Sequence, residues 1–174
     1  MSIFFPPLPD FPPAPPLPPT RWATVYATPR LISVDTDSGY GRTAYDDQGV
    51  STVLPREAEA EALGTALIAA LDSSRMLLAP EVYEFMDRDA VKVRVDRKNE
   101  TLMSFGSYAD KRALFKDIRL VLVRERDEEI FLTATKHRRG DDFQSIEGTV
   151  QQITRHAPKT EIGNAVLEII SLCQ

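Results

Sequence analysis

The chain has 174 residues, 43% of them hydrophobic and 27% charged, and its 21 Lys and Arg against 26 Asp and Glu leave a formal net charge of −5. That length suits one domain with an arm, the composition is that of a globular protein, and no apolar run approaches the ~20 residues of a membrane-spanning helix. The acidic balance argues against a general nucleic-acid binder, which carries a basic excess, and permits a basic protein partner. The single cysteine, Cys173, excludes an internal disulfide and fits a reducing compartment. With no Lys or Arg before Arg21 and an apolar start broken by prolines, the N-terminus does not read as a secretory signal, so the expected location is the cytoplasm.

Residues 1–20, MSIFFPPLPDFPPAPPLPPT, hold nine of the thirteen prolines. Each proline fixes φ and lacks an N–H, so the segment is expected to be extended and polyproline-II-like. Ile3, Phe4, Phe5, Leu8 and Phe11 would anchor such an arm along the surface of a single domain formed by residues 21–174. Its PxxP spacings, Pro12 to Pro15 and Pro15 to Pro18, also suit a small Pro-binding domain, which would make the protein an adaptor.

From Trp22 the pattern is globular. WATVYA (22–27) and RLISV (30–34) have strand composition and are separated by Pro29. Residues 35–49, DTDSGYGRTAYDDQG, are rich in turn formers and read as a loop or a wide hairpin end. VSTVL (50–54) is a short strand, and Pro55 fits the first turn of a helix with Glu57, Glu59 and Glu61 near its positive end. Leu63, Ala66, Leu67, Ala70 and Leu71 form one helical stripe. EVYEF (81–85) fits a strand or one helical turn. AVKVRV (90–95) alternates and predicts a strand, paired with TLMSF (101–105) across a Lys98-Asn99-Glu100 turn.

Ser107 followed by Asp110 resembles a capping box ahead of a short helix over 108–117. IRLVLVRER (118–126) is apolar on both faces, as in a central strand covered on both sides. EIFLTATK (129–136) would pair with it across an Asp127-Glu128 turn. TVQQI (149–153) is a further strand. Pro158 opens a helix whose stripe is Ile162, Ala165, Val166, Ile169 and Ile170, continued by Cys173 as a small core hydrophobe. The expected fold class is α+β: a mixed, largely antiparallel sheet with helices packed on it, in two similar halves that each end in strand then helix. EALGTALIAAL (61–71) and EIGNAVLEII (161–170) mirror each other. Gly64 and Gly163 each cost ~0.5–1 kcal/mol against Ala inside a helix, and their position at the stripe edge would let each helix approach a neighbour closely.

Glycine-rich phosphate loops, HExxH, GxSxG and Cys/His clusters do not occur, so neither metal, cofactor nor catalytic residues are assigned. TATKHRRGDDF (133–143) gathers His137 with cations and carboxylates, a set that acid–base or phosphodiester chemistry can use, although a solvated turn accounts for it more simply. The acidic clusters are candidates for binding: Asp35, Asp37, Asp46 and Asp47 in the first long loop, Asp127, Glu128 and Glu129 in a hairpin turn, and Asp141 and Asp142 in the next. Gathered on one edge of the sheet they would form an anionic surface for a basic partner, while solubility alone also explains such clusters.

KRALFKDIRLVLVRERDEEIFLTATKHRRGDDF (111–143), followed by TEIGNAVLEIISLC (160–173), resembles the immunity proteins of bacterial contact-dependent growth inhibition (CDI) systems. The matching positions are Arg112 to Phe115, Thr135 to His137 and Glu161 to Leu167, and EALGTALIAAL is similar to a further helix of that family. The resemblance spans roughly residues 30–173; residues 79–106 depart from it, reading as a hairpin where the family has more helix. It implies a binding protein that neutralises, in the cytoplasm, the toxic C-terminal domain of a large exoprotein, often a nuclease. It further implies a 1:1 complex with the cognate toxin domain and no use of nucleic acid, membrane or cofactor. Two readings stand beside it: a small phosphodiester- or nucleotide-acting enzyme working through His137, and an adaptor presenting the Pro-rich arm.

Overall fold

The computed structural model describes residues 16–140 and 142–174, so the expected anchors of the arm and Asp141 lie outside the described residues. In chain order the elements are β1 (Thr20–Ala27), β2 (Leu31–Tyr40), β3 (Arg42–Tyr45), β4 (Ser51–Pro55), α1 (Ala60–Ser73), α2 (Glu81–Phe85), α3 (Arg88–Gly106), α4 (Lys111–Phe115), β5 (Arg119–Arg126), β6 (Glu129–Arg139), β7 (Asp142–Thr154) and α5 (Lys159–Leu172). One sheet runs β3-β2-β1-β5-β6-β7, with β4 also paired to β2, and the ladders are antiparallel. The two expected halves are visible in this order. β1–β4 lead into α1, β5–β7 lead into α5, and β1 and β5 meet at the centre of the sheet.

α1 and α5 lie on one face, where their stripes bury Leu63, Leu67, Leu71, Ile162, Val166 and Ile170 against Val25, Val34, Val121, Val123 and Leu132. The two glycines set how closely the helices approach. A Cβ on Gly64 would stand 2.0 Å from the Lys159 carbonyl oxygen, and one on Gly163 would stand 1.8 Å from that of Ala60. Backbone therefore touches backbone where α1 and α5 meet. Cys173 is buried in the same core, and burial pushes its thiol up, as befits a packing residue.

The second face carries α3, and here the sequence reading needs correction. Residues 88–106 are one helix rather than a hairpin over 90–105. The Asp87 carboxylate caps it, accepting from the N–H groups of Asp89 and Ala90 at 3.1 and 3.0 Å. Ser107, at φ 51°, ends it. The inward positions Val91, Arg94, Val95, Lys98, Asn99, Leu102 and Gly106 follow a helical repeat, but Arg94, Lys98 and Asn99 occupy its middle. Polar residues at buried positions erased the apolar period and left only the alternation of Val91, Val93 and Val95 on view. Val93 is in fact 49% exposed. Leu102 of α3 and Leu114 of α4 pack on Leu31 as a second, smaller core.

Other boundaries moved as well. Residues 35–40 continue β2 instead of forming a loop. Pro55 ends β4 opposite Leu31, and α1 begins at Ala60, so only Glu61 of the three glutamates lies in its first turn. EVYEF is helical. Asp110, not Ser107, caps α4, its carboxylate accepting from the Ala113 N–H at 2.8 Å. β5 is covered on both sides over only part of its length, with Leu120 5% exposed but Leu122 38%.

Gly64→Ala and Gly163→Ala should each destabilise the protein by about 1–3 kcal/mol through overpacking, against a helix-propensity gain of only ~0.5–1 kcal/mol. The urea midpoint should fall at unchanged slope; an unchanged or raised midpoint would show that the helices are not held at this separation.

Candidate functional site

Register decides where the first acidic group points. β2 places Asp35 opposite Thr24 and Ser51, and Asp37 opposite Trp22 and Tyr45, which aims both carboxylates at the face covered by α3. There the buried Lys98 ammonium lies 3.0 Å from Asp35 Oδ2, 3.7 Å from the centre of the Tyr26 ring and 5.0 Å from that of Tyr45. Asp35 also accepts from the Ser33 and Ser51 hydroxyls. Burial opposes the charge on Lys98, yet Tyr26, Asp35 and Asp37 outweigh it and hold the ammonium protonated beyond its ordinary range. Asp37 has a weaker set of partners: the Thr24 hydroxyl stands 3.5 Å away. Burial dominates there, and despite the pull of Lys98 its carboxyl is pushed up to about 7.

Asp46 has no exposed surface. It accepts from Ser38 Oγ at 2.7 Å, Arg75 Nε at 2.9 Å and the Gln48 N–H at 3.1 Å. Burial works against its charge, but these bonds prevail and hold the carboxyl below its ordinary value. Asp35, Asp37 and Asp46 are therefore scaffold, and the expectation that they contribute to an anionic surface does not survive: a carboxylate sealed under α3 or against Arg75 cannot meet a partner.

The remaining acidic candidates are accessible and separate. Asp47 is partly exposed, 3.9 Å from Arg97. Asp127 and Glu128 form the β5–β6 turn with side chains 79% and 70% exposed, and Glu129 beside them is half-buried. Asp142 is exposed at the start of β7, at the opposite end of β6. Since β6 has 11 residues, these two clusters stand roughly 35 Å apart at ~3.3 Å per residue. They do not share an edge.

Near Asp142 the structure adds a feature of the opposite sign. A groove of about 720 Å³ runs between α3, α4 and the end of β6, with Val91, Val95, Phe115 and His137 in its walls. Arg88, Lys92, Lys111, Arg112 and Arg139 surround it, and Asp96 is the carboxylate among its lining residues. Asp96 takes the ammonium groups of Lys111 and Lys92 at 2.5 and 2.6 Å and is pulled down to about 2 by them. Reading 88–106 as a helix would have revealed this groove, because Arg88, Val91, Lys92, Val95 and Asp96 then share one side. His137 belongs to its wall: the ring stacks on Phe143 at 4.9 Å, and Nε2 donates to the Gly140 carbonyl at 2.8 Å, closing the β6–β7 turn.

A family model described as CDI immunity protein (CdiI) matches residues 21–173. The immunity protein CdiI-YPIII of Yersinia pseudotuberculosis serotype O:3 (strain YPIII) is 28% identical over 172 residues, covering 89% of this chain and 96% of that protein. Among solved structures, a protein of unknown function from Neisseria meningitidis matches with a TM-score of 0.85 at 26% identity, over 90% of this chain and 96% of that one. A chain of the CdiA-CT/CdiI toxin and immunity complex from Yersinia pseudotuberculosis matches with a TM-score of 0.81 at 26% identity, over 90% and 98%.

The buried charges make stability depend on pH. Folded Asp37 keeps its proton up to about 7, whereas its ordinary value is 3.8; between these values the folded state binds more protons, so this group lowers stability as pH rises through that window. Asp37→Asn should flatten that part of the profile, gaining on the wild type at pH 8 relative to pH 4 in chemical denaturation. Lys98→Met leaves Asp35 and Asp37 without their counter-charge and should cost about 3–5 kcal/mol at neutral pH, read as a lowered midpoint in chemical denaturation.

Proposed function

The chain belongs to the CDI immunity protein family, and from that membership we propose that it binds the C-terminal toxin domain of a cognate exoprotein, 1:1, and blocks it in the cytoplasm. The observation that carries this reading is the near end-to-end match with a chain of the Yersinia toxin and immunity complex. A complex of this kind buries on the order of 1,200–2,000 Å², and the two accessible charged regions offer complementary parts of such a surface. The groove beside α4 is concave, has apolar walls and is rimmed by cations, so it suits an inserted element that is apolar and acidic. The acidic turn at Asp127, Glu128 and Glu129 suits long-range attraction of a basic body.

The toxin is a nuclease in this reading. A nuclease cleft is basic because it holds phosphates, and an inhibitor of net charge −5 with an exposed acidic turn accelerates encounter with such a body. Asp47 and Asp142 are peripheral contributors to the same field.

The proposal predicts that a neighbouring gene encodes an exoprotein with the cognate toxin domain, and that domain is the one to test. The two products should co-purify, and expression of this chain should protect cells from the toxin; a toxin domain left active by an excess of this protein would sink the proposal. Reversing Asp127, Glu128 and Glu129 to Lys should slow association and weaken its salt dependence. Arg88→Glu with Arg112→Glu should instead speed dissociation, and unaltered dissociation would remove the groove from the interface. Nucleic-acid cleavage by the free toxin, lost in the complex, checks the nuclease assignment.

A further inference from the structure

α3 buries three polar residues, and two of them meet partners. The Arg94 guanidinium donates to the Tyr45 and Phe85 carbonyls at 3.0 and 2.7 Å, and the Lys98 ammonium pairs with Asp35 at 3.0 Å. Asn99, 6% exposed, makes no side-chain hydrogen bond among the described residues. Its carboxamide brings N–H donors and an acceptor oxygen to that position, and a buried amide left unpaired costs stability. Among the described residues no sealed side-chain nitrogen or oxygen lacks a partner. The Asn99 amide therefore opens on the groove it lines, between α3, α4 and the end of β6.

The rest of that groove grades from apolar to cationic. Val91, Val95 and Phe115 stand half-buried in its walls, and the Phe115 and His137 rings lie 6.5 Å apart at 31°. Its volume of about 720 Å³ is that of a pocket that encloses a ligand. Of the surrounding cations, Lys92 and Lys111 are already held by Asp96. Arg88, Arg112 and Arg139 are exposed and have no ion pair among the described residues. A free guanidinium presents a planar fork that matches a carboxylate.

An occupant that answers all three layers needs a polar tip, an apolar body and negative charge beside its stem. A tyrosine between acidic residues has that build. Its hydroxyl both donates and accepts, and its ring packs on aliphatic and aromatic walls. Tyrosine is also among the side chains that carry most of the binding energy at protein interfaces. A simple anion would satisfy the arginines and leave the walls and the buried amide unused. We propose that Asn99 is the specificity-determining contact of this groove, bonding the hydroxyl of a tyrosine of the toxin domain while flanking carboxylates meet Arg88, Arg112 and Arg139. This inference rests on the reading of the chain as a toxin-binding protein and names what the groove selects.

Asn99→Leu keeps the shape of the side chain and removes the amide. The urea midpoint of the free variant should equal or exceed that of the wild type, since an unpaired polar group is lost. Toxin dissociation from the variant should be roughly tenfold faster. A lowered midpoint would give the amide a structural role, and unchanged dissociation would remove it from recognition. Either result overturns the inference and leaves toxin binding standing. A titration without toxin separates failure of this inference from failure of the toxin-binding reading. In the isotope-labelled full chain, acetyl-Asp-Tyr-Glu-amide at mM concentration should shift the Asn99 side-chain amide resonances, and its Phe analogue should bind several-fold more weakly. No shift, or equal affinity for the Phe peptide, would overturn the inference whether or not a toxin complex forms.

Discussion

The ion pair between Lys98 and Asp35 is the constraint from which the functional face follows. It joins α3 to β2 at a depth where neither charge meets water, and a helix held by a buried charge has little freedom to slide. α3 therefore packs on the β2 and β3 side of that face, with Lys98 reaching the Tyr26 ring of β1, and among the described residues the β5–β7 part of the face is the more open. On one flank that position creates the cation-rimmed groove with α4. On the other, Leu122 and Val150 are exposed and Phe131 is half-buried. The strand ladders are antiparallel, with register shifts between β6 and β7, and the asymmetry of this face comes from where the one helix is pinned.

The charge distribution separates scaffold from recognition. Nine carboxylates looked equivalent along the sequence, yet register and helix packing turn Asp35, Asp37 and Asp46 into internal partners for Lys98, the serine hydroxyls and Arg75. What remains outside is polarised: acidic at the β5–β6 turn, basic around the groove near the β6–β7 turn. A protein whose task is to hold one partner benefits from such an arrangement, because it sets orientation as well as attraction. The pairing of α1 with α5 through Gly64 and Gly163 supplies the opposite quality, a closely packed base behind the sheet.

Legibility followed the distance over which each physical cause acts. The stripes of α1 and α5, the two-residue turn at Asp127-Glu128 and the strand character of residues 22–27, 118–126 and 129–136 depend on local periodicity and turn chemistry, and they were visible. The RALF and EIG segments carried the family, and Leu114, Ile162 and Gly163 are their buried positions. α3 was missed because its buried stripe is built from Arg94, Lys98 and Asn99, residues that ordinarily face water. Nothing local marks such a position. Its stabilising partners, Tyr45 and Phe85 for Arg94 and Asp35 for Lys98, come from other elements.

The sequence by itself determined the α+β class, the two strand–helix halves, the glycine-mediated approach of two matching helices and the resemblance that names the family. These rest on period and on residue size, which neighbours in the chain already express. Only the tertiary structure decided which carboxylates face solvent, that α3 exists as a helix and that cations from three separate elements line one groove. A charge reads as surface in any local window, and only the fold can bring it the opposite charge that permits burial.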